Sequence, residues 1–284
     1  MEDKWKFGFV PAAIFFGSTE DVLKTLSRLG YKGVEWSIWE FETTEELKKL
    51  VELTKSYGMD VSNISSTQDL ITLDDKMRRE IIDTIKEKIK AAGDARIDIV
   101  NVFTGPALWD PNALRLGKDI KEGKAWSIVL DAFNEFIDLA EKHKVYVTVE
   151  AGYGMVCRDY YTTKELLESI KSKYLAVNMD PSHYNLYRND VPWVVRRLGE
   201  KIKYVHMKDS VGKPGLGMED FIFPLLGEGT VNWKGFFEAL RDINYSGFLS
   251  AELESPNYFN NILGGNPVKV AEICMEQLKK LSQL

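Results

Sequence analysis

Short apolar runs alternate with longer segments of helical spacing along the whole chain. The runs fall near residues 6–10, 33–36, 59–64, 97–103, 145–150, 175–180, 202–206 and 248–252. Each has the length and composition of a buried parallel strand. Between them, apolar positions recur with a helical period. Within 117–143, Val129, Ala132, Phe133, Phe136, Ile137 and Ala140 form one continuous stripe. Ile81, Ile82, Ile85, Ile89 and Ala92 form a second, and Ala271, Cys274, Leu278 and Leu281 a third, which makes Cys274 a packed small hydrophobe. Gly30 and Gly33 bracket the first helix-to-strand turn, Gly58 marks the second, and Gly93 marks the end of the third helix. Thr43-Thr44-Glu45-Glu46 reads as a capped helix start. Eight strand–helix units without a low-complexity linker predict a single (β/α)8 barrel domain over 1–284. The rival is an open doubly wound sheet, but no glycine-rich dinucleotide turn follows the first strand.

The ends of four strands carry the chemistry. The runs in the second half of the chain close on Glu150, Asp180, His206 and Glu252. Parallel strands in α/β folds deliver functional side chains at their C-terminal ends, and barrel strands lie only about 4.8 Å apart. Three carboxylates and one imidazole at successive strand ends therefore read as a site for one divalent metal ion. The donor set is hard, suiting Mn²⁺ first, with Mg²⁺ or Co²⁺ next and Zn²⁺ still open. Glu254 lies two residues beyond Glu252 and shares its face if the strand continues, so spacing separates the two only weakly.

Other residues are placed around this mouth. His183, three residues after Asp180, turns back over it as a contact for substrate or for a ligand. His143 closes a helix and suits the negative end of its dipole. Glu35 ends the second strand as an inward carboxylate held by hydrogen bonds. Trp36, Trp39, Phe103 and Tyr153 follow strand ends and could wall a pocket, and Lys213-Pro214-Gly215-Leu216-Gly217 could form a flap.

Charge and composition narrow the partners. The 284 residues carry a formal net charge of −6 without a basic block, which disfavours nucleic acid. Only Cys157 and Cys274 occur, far apart, so a reducing compartment is expected. No apolar run spans a membrane, and Met1 to Lys6 lacks the pattern of a secretion leader, so a cytoplasmic location is expected.

The motifs Asn178-Met179-Asp180-Pro181-Ser182-His183, Tyr204-Val205-His206-Met207-Lys208-Asp209, Gly227-Glu228-Gly229 with Asn232-Trp233, Val149-Glu150 and Ser250-Ala251-Glu252 together resemble the xylose isomerase-like barrel superfamily. Within it they are similar to the sugar isomerase/epimerase branch, which includes ketose 3-epimerases and inosose dehydratase-like and hydroxypyruvate isomerase-like proteins. The resemblance implies one divalent metal on Glu150, Asp180, His206 and Glu252, which favours Glu252 over Glu254. It further implies that Glu150 and Glu252 act as acid and base, with His183 and Lys208 touching a sugar or polyol substrate. It leaves room for a homo-oligomer. The trinuclear zinc site of apurinic endonucleases in the same superfamily is ruled out, because Asn63 and Asn101 stand where histidines would be needed. Chelation of a carbonyl and its neighbouring hydroxyl would stabilise an enediolate between the two glutamates. Epimerisation next to the carbonyl is the leading expectation. Return of the proton to the neighbouring carbon would give aldose–ketose isomerisation, and loss of a β-hydroxyl an inosose-type dehydratase. Ser210 to Met218 lacks the arginine that ketose 3-epimerases tend to carry there. A non-catalytic sugar-binding barrel is the alternative of a different class.

Overall fold

The structure, a computed structural model, describes residues 5–14, 17–215 and 218–284. Its strands are β1 (Lys6–Phe9), β2 (Gly33–Ser37), β3 (Asp60–Ser66), β4 (Ile99–Phe103), β5 (Tyr146–Glu150), β6 (Leu175–Met179), β7 (Ile202–Met207), β8 (Val211–Gly212), β9 (Phe221–Ile222) and β10 (Phe248–Ala251). The helices are α1 (Thr19–Leu29), α2 (Thr44–Ser56), α3 (Asp75–Asp94), α4 (Glu122–His143), α5 (Tyr160–Ser169), α6 (Pro181–Leu186), α7 (Val191–Leu198), α8 (Trp233–Asp242), α9 (Pro256–Asn261) and α10 (Pro267–Leu281). The longer strands are hydrogen-bonded in the closed order β1-β10-β7-β6-β5-β4-β3-β2, which is the expected (β/α)8 barrel, while β8 and β9 pair separately.

By contacts the chain divides into two compact units, one comprising 1–36, 49–62 and 179–284, the other 37–48 and 63–178. In the first, β1 runs parallel to β10 from Lys6 opposite Phe248 to Phe9 opposite Ala251, and β10 sets Ser250 opposite His206 of β7. A side chain at Gly33 would put its Cβ 2.5 Å from the Phe248 ring and 2.9 Å from Ser62, so close strand packing demands glycine there. Ala271, Cys274, Leu278 and Leu281 of α10 are buried as the stripe predicted. Burial pushes the Cys274 thiol up to about 12, in keeping with a packed rather than a reactive group.

In the second unit, β4 and β5 pair from Ile99 opposite Tyr146 to Phe103 opposite Glu150, and β5 places Glu150 opposite Asn178 of β6. The apolar stripe of α4 is buried, as is that of α3 apart from the half-buried Ile81. Thr43 and Glu46 exchange the expected capping bonds, Glu46 N–H to Thr43 Oγ1 at 3.2 Å and Thr43 N–H to Glu46 Oε2 at 3.1 Å. Gly93 does not end its helix. α3 continues to Asp94, Arg96 takes the left-handed conformation, and Gly93 instead allows close approach of His143, whose Cβ would lie 2.7 Å from an added methyl. No helix of the described residues is long and apolar enough to cross a membrane.

Candidate metal centre

Within the first unit, three of the sequence-predicted ligands meet around His206. The imidazole sits one residue before the end of β7 and is 1% exposed; its Nε2 lies 2.8 Å from Glu35 Oε2, and its Nδ1 lies 3.3 Å from Glu252 Oε2. Glu35, itself buried in β2, thus holds one ring nitrogen. When Nε2–H is donated to Glu35, the Nδ1 that faces Glu252 could offer its lone pair to an ion. A carboxylate behind a ligating histidine is a recurrent feature of metal sites. Below the ring, Tyr204 OH bonds Ser250 Oγ at 2.6 Å and Ser62 Oγ at 2.8 Å, a satisfied polar layer that supports β7.

Asp180 stands one residue beyond β6, where it caps α6. Its Oδ1 accepts Ser182 N–H at 2.8 Å and Ser182 Oγ–H at 2.7 Å. The other oxygen is directed elsewhere: Oδ2 lies 2.8 Å from Lys208 Nζ and 3.6 Å from His183 Nε2. Pro181 at the first helical position suits this start, since its missing N–H is an orphan there anyway. The cap therefore fixes the carboxylate through Oδ1 and leaves Oδ2 facing Lys208.

Glu252 follows β10, and its backbone N–H reaches Met207 O at 3.1 Å, prolonging the strand contact by one residue. Its Oε2 accepts from Lys208 Nζ at 2.8 Å. Burial pushes this carboxyl up, but the charges of His206 and Lys208, with hydrogen bonds from both, outweigh it and hold the group well below the usual carboxylate range. Glu254 faces Lys208 Nζ at 2.7 Å and does not share the histidine contact of Glu252.

Lys208 is 1% exposed, and its ammonium lies 4.8 Å from the Phe223 ring centre. His183 is buried with its ring edge-on to Phe223, the centroids 5.2 Å apart. Burial, and after it the Lys208 charge, lowers His183 to about 3, so the ring is neutral near pH 7. Its Nδ1 finds no hydrogen-bond partner among the described residues.

In the second unit, Glu150 ends β5, 1% exposed. Its Oε2 accepts amide hydrogens from Asn101 and Asn178, each at 2.9 Å, and Asn101 Oδ1 in turn accepts from Thr148 Oγ1 at 3.0 Å. Neutral amides hold this carboxylate without cancelling its charge. One ligand atom from each of Glu150, Asp180, His206 and Glu252 lies within 4.8 Å of the others, which makes the four a potential metal-ligand group.

These residues fit a divalent cation. The donors are three carboxylates and one imidazole, each buried or nearly so, and each anchored through an atom other than the one offered in the cases of Asp180 and His206. The carboxylates Glu35, Asp180, Glu252 and Glu254 also outnumber the lysine beside them, Lys208. Such an imbalance in a buried place favours taking up positive charge.

One of the expected pocket residues falls elsewhere. Trp36 is 2% exposed and donates Nε1–H to Thr54 Oγ1 of α2 at 3.1 Å, so it belongs to the strand–helix packing. Trp39 is 66% exposed. Phe103 is buried against Trp109, with ring centres 5.8 Å apart, and Tyr153 is half-buried. Leu216 and Gly217 of the expected flap lie outside the described residues. Sequence reasoning missed Phe223, the amides of Asn101 and Asn178 as clamps on Glu150, and the role of Asp209. That buried carboxylate accepts from Ser210 N–H, Gly227 N–H, Gly229 N–H, Val231 N–H and Trp233 Nε1–H, tying the Gly227–Trp233 segment to the end of β7. Its sequence signals were the Tyr204–Asp209 motif and the Gly227-Glu228-Gly229 and Asn232-Trp233 motifs.

Comparison with known proteins agrees with this picture. A family model described as the xylose isomerase-like TIM barrel matches residues 23–281. An inosose dehydratase of Mesomycoplasma hyopneumoniae is 21% identical over 279 residues, covering 93% of this chain and 89% of the relative. A solved structure of the IolI protein with a zinc atom bound superposes with a TM-score of 0.77 at 18% identity, covering 98% of both chains. The D-psicose 3-epimerase of Clostridium cellulolyticum H10, solved with D-tagatose, gives a TM-score of 0.75 at 16% identity over 98% of both chains. Together with the closed barrel and the ligand group at its strand ends, the family match over most of its length establishes that this chain belongs to the xylose isomerase-like TIM-barrel family.

Proposed function

We propose that this protein is a divalent-metal-dependent enzyme that moves a proton at the carbon next to the carbonyl of a sugar or polyol, with epimerisation as the leading outcome. The observation that carries the reading is the buried group of Glu150, Asp180, His206 and Glu252, with ligand atoms within 4.8 Å of one another. Those four residues would hold the ion, Mn²⁺ being the best match to the donor set. When bound, such an ion polarises a carbonyl and offsets the negative charge that develops as the neighbouring proton leaves. Glu150 and Glu252 are the proton carriers in this reading, one removing the proton and the other returning it. The amides on Glu150 keep its carboxylate oriented without quenching it. The neutral His183 ring and the Lys208 ammonium serve as contacts for substrate oxygens. A cytoplasmic location and a homo-oligomeric assembly belong to the same reading.

One observation favours dehydration as a second reading. Lys208 places an ammonium within 2.8 Å of both Asp180 and Glu252, where it can give a proton to a departing hydroxyl. The inosose dehydratase likeness over most of this chain points the same way.

Incubation with a panel of ketoses and inososes in D₂O, with Mn²⁺ added, tests both. Uptake of deuterium next to the carbonyl with the hydroxyls retained is expected for an epimerase, and loss of water with a near-ultraviolet enone-type absorbance for a dehydratase. Glu150→Gln should abolish either reaction in a folded protein. Undiminished turnover in that variant would remove Glu150 from the proton relay.

A further inference from the structure

We propose that Glu254 is a positioning residue that gives the Lys208 ammonium a partner outside the metal-ligand group, so that a divalent ion can take Asp180 and Glu252. The inference rests on the metal-centre reading above and concerns how that centre is loaded. Lys208 Nζ lies 2.8 Å from Asp180 Oδ2, 2.8 Å from Glu252 Oε2 and 2.7 Å from Glu254 Oε2. Two of those partners are in the ligand group and the third is not. A divalent ion sits about 2.0–2.2 Å from carboxylate oxygens. It would therefore share oxygens with an ammonium already in ionic contact with both, and two cations that close repel strongly where water is excluded.

The lysine cannot escape into solvent without large movement. Its side chain is 1% exposed and its ammonium rests by the face of Phe223. It needs a second anion within reach. Glu254 supplies one: its side chain is 34% exposed, while those of Asp180 and Glu252 are 0% and 10% exposed, so it stands at the wet edge of the cluster. Leu253 between them is buried. Metal and lysine thus compete for Asp180 and Glu252, and Glu254 biases the competition toward the metal.

The experiment measures Mn²⁺ affinity by calorimetry in wild type, Lys208→Met, Lys208→Gln, Glu254→Gln and the double variant Lys208→Met/Glu254→Gln. Removing the competing cation should tighten Mn²⁺ binding about tenfold or more in both Lys208 variants. Glu254→Gln alone should weaken it several-fold, and that weakening should disappear in the double variant, because only the lysine transmits it. Equal affinity in Glu254→Gln and wild type would overturn the inference, as would a weakening that persists without Lys208. Glu254 is exposed enough that its variant tests the idea even if the Lys208 variants fail to fold. Absence of any Mn²⁺ binding by the wild type would instead bring down the metal-centre reading itself.

Discussion

Two ionic clusters in this protein use the same side chains to different ends. In the second unit, between α3 and α4, Glu135 meets Arg79 at 2.8 and 3.0 Å and Lys86 at 2.7 Å, while Arg79 also reaches Asp83 at 2.9 Å. In the first unit Lys208 faces Asp180, Glu252 and Glu254. The outer cluster is balanced in charge, and its Arg79, Glu135 and Lys86 side chains are 45%, 35% and 30% exposed. The inner cluster has one lysine for three carboxylates; its Lys208, Asp180 and Glu252 side chains are 1%, 0% and 10% exposed, and Glu254, at 34%, stands at its edge. At an effective dielectric near 20, unit charges about 4 Å apart interact by about 4 kcal/mol, against about 1 kcal/mol in water. Imbalance is therefore cheap outside and expensive inside. A balanced exposed cluster ties two helices together, whereas an unbalanced buried one gains by binding a cation.

The sharpest way to break this contrast is to remove one buried negative charge without disturbing the fold. Asp180→Asn keeps the cap on α6, since asparagine serves there as well as aspartate. It takes away one ligand charge, and Mn²⁺ affinity is expected to fall by about 100-fold, read by calorimetry or by the free-ion Mn²⁺ resonance. Retained affinity would mean that the inner cluster is merely structural. The next effect in size concerns Glu35, which holds His206 Nε2 at 2.8 Å. Glu35→Gln should weaken Mn²⁺ binding by about tenfold, because the ring loses the carboxylate that orients it and raises its basicity. An unchanged affinity would show that β7 alone orients the imidazole.

Much of this site was legible along the chain, and the reason is geometric. Parallel strands that end together bring their last residues to one rim, so Glu150, Asp180 and His206 could be read from strand periodicity and its endpoints. The choice between Glu252 and Glu254 was not legible from spacing. β10 ends at Ala251, and beyond it the alternation of faces no longer applies: Glu252 approaches His206, and Glu254 reaches Lys208. Trp36 was misplaced for the opposite reason, since a residue inside β2 alternates strictly and its ring goes to the α2 side. The amides of Asn101 and Asn178 depend on the register of neighbouring strands, and Phe223 on a long excursion after β7. Neither relation leaves a local pattern. Gly93 misled because a glycine near a helix end usually terminates it, whereas here it makes room for His143.

The outer cluster should give the smallest effect, and one of different kind. Hydrogen bonds from Arg79, set against a smaller opposing effect of burial, lower Glu135 to about 2 from an ordinary 4.5. A carboxyl depressed on folding stabilises the protein above its unfolded pKa, and that contribution disappears as the pH falls through the folded value. The stabilisation is therefore complete above about pH 5 and is lost between there and about pH 2. Because the side chain is 35% exposed, solvent screening reduces its worth to about 1 kcal/mol. Glu135→Gln should accordingly lower the melting temperature by about 2–4 °C at pH 7. The difference from wild type should shrink as the pH is lowered toward 3 and diminish in high salt. Mn²⁺ affinity should stay within twofold of wild type. A pH-independent loss of stability would assign the effect to packing of the α3–α4 contact. A change in metal binding would erase the distinction between the two clusters, since it would show that balanced exposed charge also reaches the centre.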